Sequence, residues 1–275
     1  MLDYERWRKN LVIIRGGGDI ATGTIYKLFQ CGFPMIVLEI SNPSCIRRTI
    51  SFCEAVFEHE VTVEGVKAQK VSSIQEAYES YQENIVPVMI DPEGRMIKEL
   101  SPFVVIDAIL AKKNLGTAMD NAPIVIGVGP GFSAGKDVHA VVETKRGHNL
   151  GRVIYDGEAA PNTGIPGVIA GYGKERVIHA PYEGILHIEK QIGDTVERGD
   201  VIATIDGKPV FATISGIVRG MLREGYHANQ GLKMADIDPR LDEKENCHHI
   251  SDKARCVAGG VLEAVLHLSR EISQY

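Results

Sequence analysis

Asp137, His139 and Glu143 stand at even spacing in KDVHAVVE, and on a strand even spacing places side chains on one face. Asp, His and Glu together are hard-metal or acid/base material. A solvated strand face would carry the same residues, and spacing alone favours that, because a metal site still needs a ligand from elsewhere. The following turn, TKRGHNLGR, sets His148 and Asn149 between Gly147 and Gly151, with Lys145, Arg146 and Arg152 nearby. Flexible backbone, donors and positive charge suit an anion such as phosphate; a basic surface turn is the plain alternative. Asp137, His139, Glu143 and His148 are therefore the catalytic candidates, and Lys145, Arg146, His148 and Arg152 the anion-binding ones. A second glycine-rich loop, Asn162-Thr163-Gly164 with Pro166-Gly167, is expected to close over the same place. Lys136 does not make a nucleoside-triphosphate loop. Only three residues separate Gly131 from Gly135, where four are needed, and Asp137 follows the lysine, which breaks the required spacing.

A second constellation lies near the start. The apolar run Leu11–Ile14 feeds RGGGDIATG, where Gly16, Gly18 and Ala21 match G-x-G-x-x-A. In that pattern the first glycine makes a tight turn, the second lets backbone approach a pyrophosphate, and Ala21 allows close helix–strand packing. A helix over about 19–30, starting at Asp19, would offer its N-terminal amides to an anion. Met35–Leu38 reads as the next strand and Glu39 stands at its end, where a ribose-binding acid belongs. Gly16, Gly18, Asp19, Ala21 and Glu39 are thus expected to hold NAD(P) or another nucleotide. Arg47 and Arg48 follow closely; they would hold an extra phosphate or form a solvated helix face. Asp107, ending V-V-I-D, is expected to cap a helix over AILAKKN.

These residues need elements to position them. The pattern predicts a helix over IRRTISFCEAVFE, a hairpin over VTVEGVKAQKV turning at Glu64-Gly65, and a helix after Ser72. Strands are predicted at 85–90 and 103–106. From 174 to 240 the chain repeats itself at an interval of 32 residues: Ala180, Gly184, Ile185, Gly193, Gly199, Ala203, Ile205 and Asp206 recur as Ala212, Gly216, Ile217, Gly225, Gly231, Ala235, Ile237 and Asp238. Recurrent glycines mean recurrent turns, and two such halves are expected to pair about a pseudo-twofold axis. The segment resembles biotinyl/lipoyl barrel-sandwich modules, but Pro209 follows Lys208 and no M-K-M is present, which favours docking over a carrier role. Ser251 is expected to cap a last helix in which Gly259 and Gly260 serve close packing. Cys247, in an acid- and His-rich loop, is the weak metal candidate, able to meet a soft metal or selenium.

The expected fold class is α/β. It comprises a Rossmann-like parallel sheet domain (1–120), a glycine-rich functional junction (121–173), an all-β barrel-sandwich-hybrid module (174–240), and a loop with a C-terminal helix (241–275). At 275 residues the chain has length for two domains. Its net charge of −6 gives no support to nucleic-acid binding. No run approaches the roughly 18 apolar residues of a membrane span, and the polar start MLDYERWRKN does not read as a signal peptide. Five scattered cysteines without a C-x-x-C pair argue for a reducing, cytoplasmic setting.

Together RGGGDIATG, IRRTISF, IGVGPGFSAGKDVHAVVETKRGHNLGRVIYDG and DKARCVAGGVLEA resemble the selenium-dependent molybdenum hydroxylase system protein family (YqeB type), related in role to xanthine dehydrogenase accessory factors. The resemblance implies an accessory protein that matures a molybdenum hydroxylase, its partner, with molybdenum cofactor or a selenium species as cargo. An NAD(P)-dependent oxidoreductase and a biotinyl/lipoyl-type carrier are the alternatives. A small anionic ligand and a homo-oligomer are further expectations.

Overall fold

A computed structural model of the chain describes residues 2–164 and 167–272. Pro166, expected in the second glycine-rich loop, lies outside them. The chain divides into two compact units, one of residues 1–43, 51–162 and 250–275, the other of residues 44–50 and 163–249. The last helix thus belongs with the N-terminal sheet, and residues 44–50 with the repeat region, across the ranges that the sequence marks out.

The first unit is built on a nine-stranded mixed sheet. In chain order its strands are β1 (Val12–Arg15), β2 (Met35–Glu39), β3 (Glu60–Val63), β4 (Val66–Val71), β5 (Val86–Ile90), β6 (Val104–Asp107), β7 (Ile124–Val128), β9 (Ala140–Val142) and β10 (Val153–Ile154), with a separate two-stranded sheet of β8 (Ser133–Ala134) and β11 (Gly157–Glu158). The order across the large sheet is β10-β9-β7-β6-β1-β2-β5-β4-β3. Neighbours run parallel from β9 through to β4, while β10 and β3 close the two edges antiparallel. β1, β6 and β7 are buried throughout, as short apolar runs covered on both faces must be. A Rossmann-like parallel domain beside a biotinyl/lipoyl-like module is therefore corrected: this sheet is mixed, with antiparallel hairpins at both ends.

Helices α1 (Leu2–Lys9), α2 (Asp19–Gln30), α3 (Ala55–Glu58), α4 (Ile74–Gln82), α5 (Arg95–Leu100) and α6 (Asp252–Ile272) complete the unit. The predicted helix over 46–58 is only short 3-10 turns leading into α3. Ser73, not Ser72, caps α4, its side chain accepting the Glu76 amide at 3.1 Å. The Ser251 hydroxyl accepts from the Ala254 amide at 3.2 Å and caps α6. α6 lies along α2, and its stripe of Ala254, Val257, Ala258, Val261, Ala264 and Val265 is buried. Small residues permit the approach. A Cβ on Gly23 would stand 2.7 Å from the Ala254 carbonyl oxygen, and elsewhere on α6 one on Gly260 would collide with that of Gly151, in the turn before β10.

In the second unit β12 (Val177–His179), β13 (Gly184–Ile188), β14 (Thr195–Val196), β15 (Val201–Ile205), β16 (Lys208–Phe211), β17 (Gly216–Met221), β18 (His227–Ala228) and β19 (Lys233–Asp238) form two four-stranded antiparallel sheets, β12-β19-β17-β14 and β16-β15-β13-β18. The 32-residue offset carries β12 to β16, β13 to β17, β14 to β18 and β15 to β19. Each sheet thus draws two strands from either copy, so neither copy can bury its apolar face alone. Leu186, Ile202, Val218, Met234 and Ile237 fill the shared core.

Among the described residues no helix is long and apolar enough to cross a membrane. The adjacent glycines of α6 make a paired prediction. A Cβ at position 259 meets nothing within 4 Å, so Gly259→Ala should stabilise by roughly 0.5–1 kcal/mol through helix propensity. Gly260→Ala must move the turn backbone at Gly151 and should cost roughly 1–3 kcal/mol by overpacking. Urea unfolding of both variants reads the opposite signs.

Candidate functional site

The C-terminal tips of the parallel strands are the first unit's concentration of bonded polar groups. β1 is the central strand at which connections pass to either side, the point where an open α/β sheet leaves a crevice. Gly16 follows it with φ +93°, a conformation that favours glycine. Its amide donates to the Leu38 carbonyl at 2.8 Å. The Gly17 amide donates to Glu39 Oε1 at 2.6 Å, and the Ile40 amide to Oε2 at 2.9 Å. The Gly17 carbonyl accepts from the Cys53 amide at 2.9 Å and the Thr22 hydroxyl at 3.2 Å. Gly18 then caps α2 in an extended conformation, φ −66° and ψ 180°. Gly18 and Asp19 are half-buried and Ala21 is wholly buried. Gly16, Gly18, Asp19, Ala21 and Glu39 are therefore brought to one turn. Burial pushes the Glu39 carboxyl up, and the bonds from Gly17 and Ile40 act against that.

A neighbouring network was not anticipated. Arg15 ends β1 and Asp107 ends β6, and the two stand in register. Arg15 Nη1 reaches Asp107 Oδ2 at 3.2 Å and Thr117 Oγ1 at 2.6 Å, and that hydroxyl donates to Asp107 Oδ2 at 2.6 Å. All three are at most 5 % exposed, so the charges are compensated locally, as burial requires. Asp107 caps no helix: residues 108–114 contain none, and its Oδ1 accepts only the nearby Ile109 amide at 3.2 Å. The signal was present in V-I-I-R and V-V-I-D, two apolar runs that each end in an opposite charge. Arg15 also lines a cleft of about 620 Å³ with Gly94, Lys98, Ser101, Asp120 and Asn121.

The segment from Asp137 to Arg152 behaves differently. Asp137, His139 and Glu143 do not converge; each is spent on local backbone. Asp137 Oδ2 accepts the Ser133 amide at 3.0 Å. His139 Nδ1 accepts the Val125 amide at 2.9 Å. Glu143 is buried, with Oε1 on the Lys145 amide and Oε2 on the Ala160 amide, both at 2.7 Å. The strand itself covers only 140–142. Lys145, Arg146, His148 and Arg152 are exposed on the hairpin between β9 and β10. Arg146 is held in a bidentate pair with Asp252, at 2.7 and 2.9 Å. A cleft of about 410 Å³ beneath this hairpin is lined by Arg152 but also by Glu143, Asp156 and Glu158, an acidic balance unsuited to an anion.

Cys247 is buried in the second unit, and burial pushes its thiol up, away from the thiolate that a metal needs. Among the described residues no group of three or more His, Cys, Asp or Glu side chains is arranged to hold a metal ion. Arg47 and Arg48 belong to this unit as well. Arg47 Nη2 donates to the Asn246 carbonyl at 3.1 Å and Arg48 Nε to that of Met221 at 2.8 Å.

No protein-family model matches the chain. It is 50% identical over 261 residues to the "Uncharacterized protein YqeB" of Escherichia coli strain K12, an alignment that covers 95% of this chain and 48% of that protein. The chain thus spans about half the length of the curated relative it matches. Among solved structures it aligns with an aspartoacylase family protein from Mesorhizobium loti (13% identity, 84% and 86% of the two chains, TM-score 0.28). It also aligns with a succinylglutamate desuccinylase from Silicibacter (10%, 83% and 84%, TM-score 0.25). At such scores the likeness carries no argument about fold or chemistry. The likeness to YqeB stands, but the role in molybdenum hydroxylase maturation, with its selenium association, is corrected: the relative that the chain matches is described as uncharacterized and carries no such role. The oxidoreductase and carrier alternatives are withdrawn with it. His139 is bonded to backbone, and Lys208 lies over the Tyr182 ring at 5.1 Å.

Two outcomes follow from the bonded groups. Burial lowers the His139 pKa from 6.5, and protonating Nδ1 would break its bond to Val125. Nitrogen-resolved NMR at pH 7 should find a neutral ring with the proton on Nε2. Because the unfolded chain takes up this proton at the higher value, the stability it contributes is full above about 6.5 and is lost as pH falls toward the folded value. Asp107→Ala should cost roughly 3–5 kcal/mol in urea unfolding by stranding Arg15, and Arg15→Met with Asp107→Leu should recover much of it.

Proposed function

We propose that the first unit binds a nucleotide at the Gly16–Asp19 turn. Its phosphates would lie against the N-terminal amides of α2 and its ribose against Glu39. No part of the withdrawn maturation role is needed for this. Gly18 carries the proposal. Its φ of −66° and ψ of 180° are open to any residue, and at a helix N-cap Ser, Thr, Asp or Asn would be the more stabilising choice. Backbone conformation therefore does not account for glycine there, whereas close approach of a phosphate does. The location at the switch point of the sheet and the half-exposure of Gly18 and Asp19 support the same site.

Calorimetry of the whole chain with adenine mono- and dinucleotides tests the site. Saturable binding is expected. Gly18→Val, which leaves the backbone unstrained, should weaken it by roughly tenfold or more, equivalent to about 1.4 kcal/mol. Binding unchanged in the folded variant would place the nucleotide elsewhere, and no binding at all would sink the proposal.

A further inference from the structure

We infer that the nucleotide accepted at Glu39 carries a free ribose diol, and that a 2′-phosphate is excluded; this rests on the nucleotide site proposed above. A carboxylate only accepts hydrogen bonds, and hydroxyl pairs are its natural donors. The Glu39 carboxylate is not free to swing away from an unsuitable ligand. One oxygen is held by the Gly17 amide at 2.6 Å and the other by the Ile40 amide at 2.9 Å. Each oxygen keeps lone-pair capacity for one further donor, so the group is oriented to receive two hydroxyls.

A 2′-phosphate would set a second negative charge beside this one, and a cation would have to compensate. The chain does not supply it where sequence order promised. Ile40 to Pro43, directly after the acid, carry no charge. Arg47 and Arg48 are bonded to the Asn246 and Met221 carbonyls within the second unit, and Arg47 is only 4 % exposed. In the first unit Arg15 is bound to Asp107, and the Lys70 ammonium donates to the Val56 carbonyl at 3.2 Å. Ile40, 46 % exposed, instead offers an apolar surface next to the acid, which suits the flat face of a base.

The test is calorimetric titration of the full chain with NADH and with NADPH, repeated on Glu39→Gln. NADH is expected to bind, with NADPH weaker by ~100-fold or more, since like-charge juxtaposition costs several kcal/mol. In Glu39→Gln, checked for native fold by circular dichroism, the ratio should collapse toward one. NADPH binding as tightly as NADH overturns the inference while leaving the nucleotide site standing. An unchanged ratio in Glu39→Gln overturns Glu39 as the selector. If neither nucleotide binds, the nucleotide site itself fails, and this inference with it.

Discussion

The strand tips of the first unit depend on the hydrogen bond from the Gly17 amide to the Glu39 carboxylate, 2.6 Å long. It joins the turn after β1 to the end of β2 through a side chain, beyond the last ladder bond. The Gly16 amide on Leu38 and the Asp91 amide on the Glu39 carbonyl continue the same lacing toward β5. With these bonds made, the turn presents Gly18 and the start of α2 in one conformation. Without them a run of three glycines would sample many backbone states, and ordering each on binding would cost about 1–2 kcal/mol.

Beside it the Arg15–Asp107–Thr117 network solves a different problem. Two charges at the ends of buried strands are tolerable only because they meet each other and a hydroxyl. α2 and α6 then cover the sheet from one side. Their closeness rests on missing side-chain volume at Gly23, and the fit of α6 against the turn at Gly151 rests on the same lack at Gly260, the jigsaw limit that close-packed interiors impose. In the second unit the constraint is topological. Each sheet takes strands from both copies of the repeat, so the halves are obliged to fold together.

Local chemistry was legible where the signal was itself local. RGGGDIATG marked a glycine turn and helix start, and EG marked a hairpin turn. The repeat showed in glycine spacing. The last helix showed in its Ser251 cap, although only Gly260 of its two glycines is there for packing. What failed was assembly. KDVHAVVE looked like a row of functional groups, yet its three polar side chains each accept backbone amides, from Ser133, Val125, Lys145 and Ala160. Arg47 and Arg48 looked available for phosphate, yet their guanidinium groups meet carbonyls about 170 to 200 residues further on.

By itself, then, the sequence determined the turn chemistry, the duplicated β-segment and the acid at the end of β2. Each follows from backbone geometry and nearest-neighbour spacing, which a linear chain contains. Only the tertiary structure decided the mixed sheet, the pairing of Arg15 with Asp107, the engagement of the arginines and the dispersal of Asp137, His139 and Glu143. Those outcomes depend on which distant donor or acceptor reaches a polar group first. A side chain's chemistry is the same whether it faces a ligand or caps a backbone amide; the packing around it makes the difference.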